Sequence, residues 1–177
     1  MKAIVLILVL AAALAAQETR RETVNAAKNP ADDAKGLSDK VPDVYAIATQ
    51  FERVVLLRFK FDTDLLAGLE KMVKQEKIHN AIILSGMGSV RGYQVHQVSN
   101  RTFPSKNMFV RNPTEPADVI GMSGFVAGGV LHPHITPDRA LGGHLEPGTN
   151  VFTFVVVTLG ILKDGADMSR FDDKSYR

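Results

Sequence analysis

The chain has 177 residues, the size of one domain, and 45% of them are hydrophobic, enough for a single sizeable core. Its 21 Lys and Arg against 19 Asp and Glu leave a formal net charge of +2, with no general excess for gripping a phosphate backbone. Without cysteine it has no disulfides or thiolate metal sites, so any metal must be held by His, Asp, Glu or backbone oxygen.

Residues 1–16 read as a secretory signal peptide. Met1-Lys2 is a short positive start, Ala3 to Leu14 is an unbroken apolar run, and Leu14-Ala15-Ala16 before Gln17 offers small residues for cleavage. The run is short for a bilayer span, and an uncleaved anchor is the other reading of it. A periplasmic or secreted location follows. Loss of Lys2 with the leader leaves 20 basic against 19 acidic residues. Residues 17–43 are polar and rich in Ala, Lys, Asp and Asn, without apolar periodicity. They read as a mostly disordered linker, with a transient helix at most over Gln17 to Ala27.

The folded domain is expected over residues 44–177. Phe51 to Phe61 keeps Val55, Leu57, Phe59 and Phe61 on one parity, the pattern of a strand packed on one side. Asp62-Thr63-Asp64 carries N-cap chemistry. Leu65, Leu66, Leu69, Met72 and Val73 then follow at helical spacing, predicting a helix over about Asp64 to Glu76. Ala81 to Leu84 reads as a short strand ending at Ser85-Gly86-Met87-Gly88, and Gly92 to Val98 as another. Asn100 to Pro116, with three prolines, reads as a loop. Val119 to Val126, Val130 to Ile135 and Val151 to Leu162 supply the remaining strands, and Asp164 to Arg177 is a charged tail. Five or six antiparallel strands with one clear helix define an α+β domain.

Three of the five histidines fall in the stretch from Val130 to the start of the last strand run, two of them inside Val130 to Ile135. His132 and His134, two apart, project to one side of an extended chain, and Pro133 between them is tolerated at an edge or bulge. His144 follows Gly142-Gly143, which lets the chain turn back. Three imidazoles with an open position suit zinc or another divalent ion, with Asp138 or Glu146 as a possible fourth ligand. The competing reading makes them polar loop residues bonded to backbone or water. His79 is placed to cap the helix C-terminus and His96 on a solvated strand face.

No nucleophile elbow, P-loop or dinucleotide fingerprint occurs. Ser85 in S-G-M-G and Ser123 in G-M-S-G-F have no assignable base, and the glycines around Ser123 read as a bulge or close packing. The H-x-H followed by an acid approaches a cupin signature. Asp138 in place of Glu, misplaced glycines and the helix between the first two strands argue against that fold.

The run RVVLLRFKFDTDLLAGLEKMVKQEKIHNAIILSGMGSVRGYQV, followed by LHPHITPDRALGGHLEPGTNVFTFVVVTL, resembles the PPC (plants-and-prokaryotes conserved) domain family, also described as PD1-like predicted DNA-binding proteins. The resemblance covers roughly Phe51 to Tyr176. It is most specific at Ser85 to Gly88, at the L-H-x-H of Leu131 to His134, and at the G-G-H-L of Gly142 to Leu145. The resemblance implies a compact α+β domain with an antiparallel sheet, assembling as a homotrimer. It also implies that His132, His134 and His144 lie together, where bacterial members can hold a metal ion. Plant members bind AT-rich DNA through an Arg-Gly-Arg-Pro hook that is absent here. Their G-R-F-E-I-L segment is replaced by Pro116 to Gly121. Export, too, weighs against DNA as the partner. The expectation is therefore an exported protein whose His132, His134 and His144 bind a divalent metal, zinc foremost, or a small ligand. Whether it is an enzyme stays open, and PPC-type DNA binding is the alternative.

Overall fold

The computed structural model describes residues 20–25, 41–100 and 105–171. Eight strands and one helix run in the order β1 (Arg20–Asn25), β2 (Phe51–Lys60), α1 (Leu65–Gln75), β3 (Ala81–Val98), β4 (Lys106–Asn112), β5 (Ala117–Ala127), β6 (Val130–Pro137), β7 (Gly143–Leu145) and β8 (Asn150–Leu162). All pairings between strands are antiparallel. The signal-peptide reading falls outside the described residues.

Helix α1 begins where the local chemistry predicts. Asp64 takes extended backbone angles and its Oδ1 accepts the Ala67 N–H at 3.0 Å, satisfying one of the donors a helix start leaves open. Leu65, Leu69 and Val73 are buried on one stripe. Burying each stabilises the fold by about 1.5–3 kcal/mol. The helix ends at Gln75, as expected, with Glu76 as its C-cap, but His79 is not what closes it. Lys77 adopts a left-handed conformation at φ 54°, and the Ile78 N–H returns to the Val73 carbonyl at 2.9 Å, closing the last turn. Ile78 is buried, whereas the His79 ring is exposed and its carbonyl accepts the Gly129 N–H at 2.8 Å. Lys77, rather than His79, terminates the helix.

Strand β3 is the spine. It is continuous over 18 residues, where two shorter strands were expected around Ser85 to Gly88. The glycines bring irregularities in register at 83/85, 88/90 and 90/92 instead of a turn. Its first half pairs with β8 and β5, and its second half with β4 and β7. Since β5 pairs with β6, and β6 with β7, the strands β3, β5, β6 and β7 close a ring. Val90, Val95, Val126, Ile135 and Leu145 belong to the core, which continues through Leu57, Phe59, Leu65, Leu69, Val155 and Leu159 beneath α1 and β2.

Two polar stretches are more ordered than their composition implies. The segment read as a loop over Asn100 to Pro116 contains β4. Its prolines at 104, 113 and 116 flank the N-M-F-V-R-N run rather than interrupting it, and Val110 is buried. Within the linker, Arg20–Asn25 forms β1 against β4. Backbone pairing to an open strand edge requires no apolar stripe, which is why periodicity did not reveal it. In the tail beyond Asp164, Met168 is buried, and the Asn80 side chain donates to the Ala166 carbonyl at 2.8 Å.

Candidate metal centre

The ladders of the ring set histidines side by side across three strands. His134 on β6 is opposite His144 on β7, and His144 is opposite His96 on β3. His132 lies two residues before His134, on the same face of β6. The intervening Pro133, with Ile135 and Pro137, is buried on the opposite face, so the imidazoles line the outer side of the ring.

Two glycines permit this approach. A Cβ at Gly143 would stand 2.4 Å from the His96 carbonyl oxygen, so any side chain there would push β7 off β3. Gly124 on β5 holds φ +134°, and a Cβ there would stand 2.1 Å from the His132 carbonyl oxygen. This is the close packing that the G-M-S-G pattern predicted. The Gln97 side-chain amide also donates to the Gly142 carbonyl, fixing the turn into β7.

His132 and His134 face each other with Nε2 atoms 3.3 Å apart and rings 20° from parallel. Two nitrogens bound to one tetrahedral zinc at ordinary bond lengths lie about 3.3 Å apart. The His144 ring is nearly perpendicular to that of His132, at 86°, with centroids 4.8 Å apart, and is 5.5 Å from His134. The His132–His134 centroid separation is 5.3 Å. Ring spacing alone does not bring the three nitrogens together: among the described residues the ligand-type atoms within 4.8 Å of one another are those of His96, His144 and Glu146, and His132, His134 and His144 do not form such a group. His144 Nδ1 lies 3.1 Å from the Leu145 carbonyl oxygen. With Nδ1–H donating there, Nε2 is left as the lone-pair nitrogen.

His96, expected on a solvated face, belongs to the cluster. Its ring stacks on His144 at 4.5 Å and 24°, and its Nδ1 meets Glu146 Oε1 at 2.5 Å. His96, His144 and Glu146 form a group of ligand-type atoms within 4.8 Å of one another. The N···O separation at His96–Glu146 is that of a hydrogen bond, shorter than the roughly 3 Å between neighbouring ligand atoms on a metal. Nothing local in G-Y-Q-V-H-Q-V reveals that His96 will meet a residue 48 positions away. Of the two candidate fourth ligands, Glu146 is at the site. Asp138 is engaged elsewhere: its Oδ1 accepts the Asp118 N–H at 3.1 Å and its Oδ2 lies 3.0 Å from Arg139 Nε. The Arg139 hydrogen bond holds its carboxyl below the usual range.

Partial burial is the leading influence lowering the pKa values of His134 and His144. Neighbouring histidines add to the shift, chiefly His132 for His134 and His96 for His144. Neutral imidazoles are the form a metal requires. Ser123 is exposed on β5 opposite His134, and Phe125 stacks on His132 at 5.1 Å and 6°.

A closed ring of antiparallel strands, with one helix on its core side and histidines on its outer side, defines a compact α+β domain with a polar surface site. The chain belongs to the Plants and Prokaryotes Conserved (PCC) domain family, whose model matches residues 47–163. Among solved structures, a plant- and prokaryote-conserved protein from Pyrococcus horikoshii is 21% identical, with a TM-score of 0.56 over 70% of this chain and 87% of that one. A hypothetical protein from Salmonella cholerae-suis is 23% identical, with a TM-score of 0.55 over 67% of this chain and 83% of that one. A metal-containing protein from Archaeoglobus fulgidus is 24% identical, with a TM-score of 0.53 over 67% of this chain and 86% of that one. These likenesses establish the fold. No curated protein matches the chain.

Proposed function

We propose that this PCC-domain protein acts outside the cytoplasm and binds a divalent metal ion, zinc foremost, through His132, His134 and His144. The observation that carries the reading is the 3.3 Å separation of the His132 and His134 Nε2 atoms, with the His144 ring centroid 4.8 and 5.5 Å from theirs. Imidazole without thiolate suits zinc, copper or nickel more than calcium or magnesium. An ion held by three imidazoles keeps a fourth position, which can take water or a small ligand. The family resemblance, and the metal content of the Archaeoglobus protein, point the same way.

The leader-like residues 1–16 support export. Self-association, as a homotrimer by resemblance, is supported by an apolar outer surface. Leu56 on β2, Met87 on β3, Ile120 on β5 and Phe154 on β8 are all exposed, Leu56 at 71%. Surfaces of this kind mark contact sites.

Metal analysis of the purified protein, with zinc titration, tests the central claim. One ion per chain, lost in His144→Ala, is expected. Absence of stoichiometric binding overturns it.

A further inference from the structure

The His96–Glu146 pair lies beside the three imidazoles, and the backbone around it is held from several directions. The Glu146 N–H donates to the Gln94 carbonyl at 3.0 Å. The buried Thr149 hydroxyl accepts the Gln94 N–H at 2.9 Å and lies 3.1 Å from both the Gln94 and the Glu146 carbonyl oxygens. Asp64, the cap of α1, uses its second oxygen to accept the Gly148 N–H at 2.6 Å. The Glu146 turn is therefore tied to both β3 and α1. Its carboxylate ends 2.5 Å from His96 Nδ1 and 3.7 Å from His144 Nδ1, between two rings that stack.

We infer that Glu146 is a positioning residue rather than a metal ligand. It accepts the Nδ1–H of His96, which packs face to face on His144, and together they hold His144 with its Nε2 free for an ion. The inference rests on the metal reading above and deepens it. A free imidazole in water favours the proton on Nε2, the arrangement that would occupy the nitrogen the ion needs. An acceptor beside Nδ1 reverses that preference, since a ring nitrogen bonded to a carboxylate or carbonyl carries the proton. His144 has one such acceptor, the Leu145 carbonyl at 3.1 Å; Glu146, at 3.7 Å, is beyond hydrogen-bond length from it. His96 has Glu146. Loss of a carboxylate bonded directly to a ligating histidine alters metal affinity by about 10–100-fold; Glu146 acts on His144 one step further off, through His96, so its effect lies at or below the lower end of that range.

Two measurements on the full chain test this. In the metal-free protein, imidazole 15N chemical shifts should show His96 with its proton on Nδ1. Glu146→Ala should move that proton toward Nε2, while Glu146→Gln, whose side-chain oxygen still accepts, should retain the original form. An unchanged tautomer in Glu146→Ala overturns the inference, whether or not the protein binds metal. Zinc affinity by chelator competition should fall up to about tenfold in Glu146→Ala and recover most of that loss in Glu146→Gln. One ion per chain and an unaltered spectrum of the cobalt-substituted protein should persist in both. A changed cobalt spectrum in Glu146→Ala, or two ions per wild-type chain with one lost in that variant, would make Glu146 a ligand and overturn the inference. If wild type binds no zinc, the metal reading fails, and the tautomer result alone decides what Glu146 does.

Discussion

His134 and His144 stand directly opposite each other on β6 and β7, and His96 continues the same rung on β3. The cluster is thus a product of strand pairing across the ring. Its geometry should depend on the sheet as much as on the histidines themselves.

Replacing His132, His134 or His144 with Ala one at a time should weaken zinc binding by more than about a hundredfold, because each removes a third of the protein's proposed donors. Isothermal titration of the three variants checks this. Equal affinity in any of them would remove that histidine from the site.

Stability of the metal-free protein should depend on pH in one direction. His134 and His144 have folded pKa values below their ordinary 6.5, so the unfolded chain binds more protons as the pH falls through that value. Their contribution is fully present above about pH 6.5. It is lost as the pH falls toward the folded values and flattens below them. Denaturation midpoints between pH 8 and pH 5 should fall accordingly, and the slope should shrink in His134→Gln/His144→Gln.

Gly143→Ala should loosen β7 without touching any imidazole. The new methyl would stand 2.4 Å from the His96 carbonyl oxygen, and the resulting strand shift costs about 1–3 kcal/mol. Chemical denaturation reads the stability loss. Zinc titration should show weaker binding in a still-folded variant, because His144 leaves its rung.

Charge on the apolar outer face should dissociate the proposed oligomer. Leu56→Asp and Met87→Glu alter exposed side chains and so leave the monomer folded. Light scattering coupled to gel filtration should report a trimer for wild type and a monomer for the double variant. A monomeric wild type removes the trimer.

Cell fractionation separates export from the DNA-binding alternative. A periplasmic protein beginning at Gln17 is expected. Cytoplasmic retention, together with duplex binding whose log affinity falls linearly with log salt, would favour DNA.

Residue order alone determined the α+β class, the extent and N-cap of α1, the strands β2, β5, β6 and β8, and the candidacy of His132, His134 and His144. Each is written in a period of two or 3.6 residues, or in a cap adjacent to it, so neighbours in sequence carry the information. Such short-range signals misread what depends on distant partners. The glycines near Ser85 looked like a strand end, but pairing with β8 and β5 carries β3 through them. Arg20–Asn25 looked shapeless, yet β4 offers it an edge. Only the tertiary structure brought His96 to His144, set Glu146 beside them and Asp138 apart, and stacked the two rings. Those relations follow from β3 pairing with four strands of one sheet and closing a ring through β7, and the register of strands roughly fifty residues apart is recorded in no local pattern.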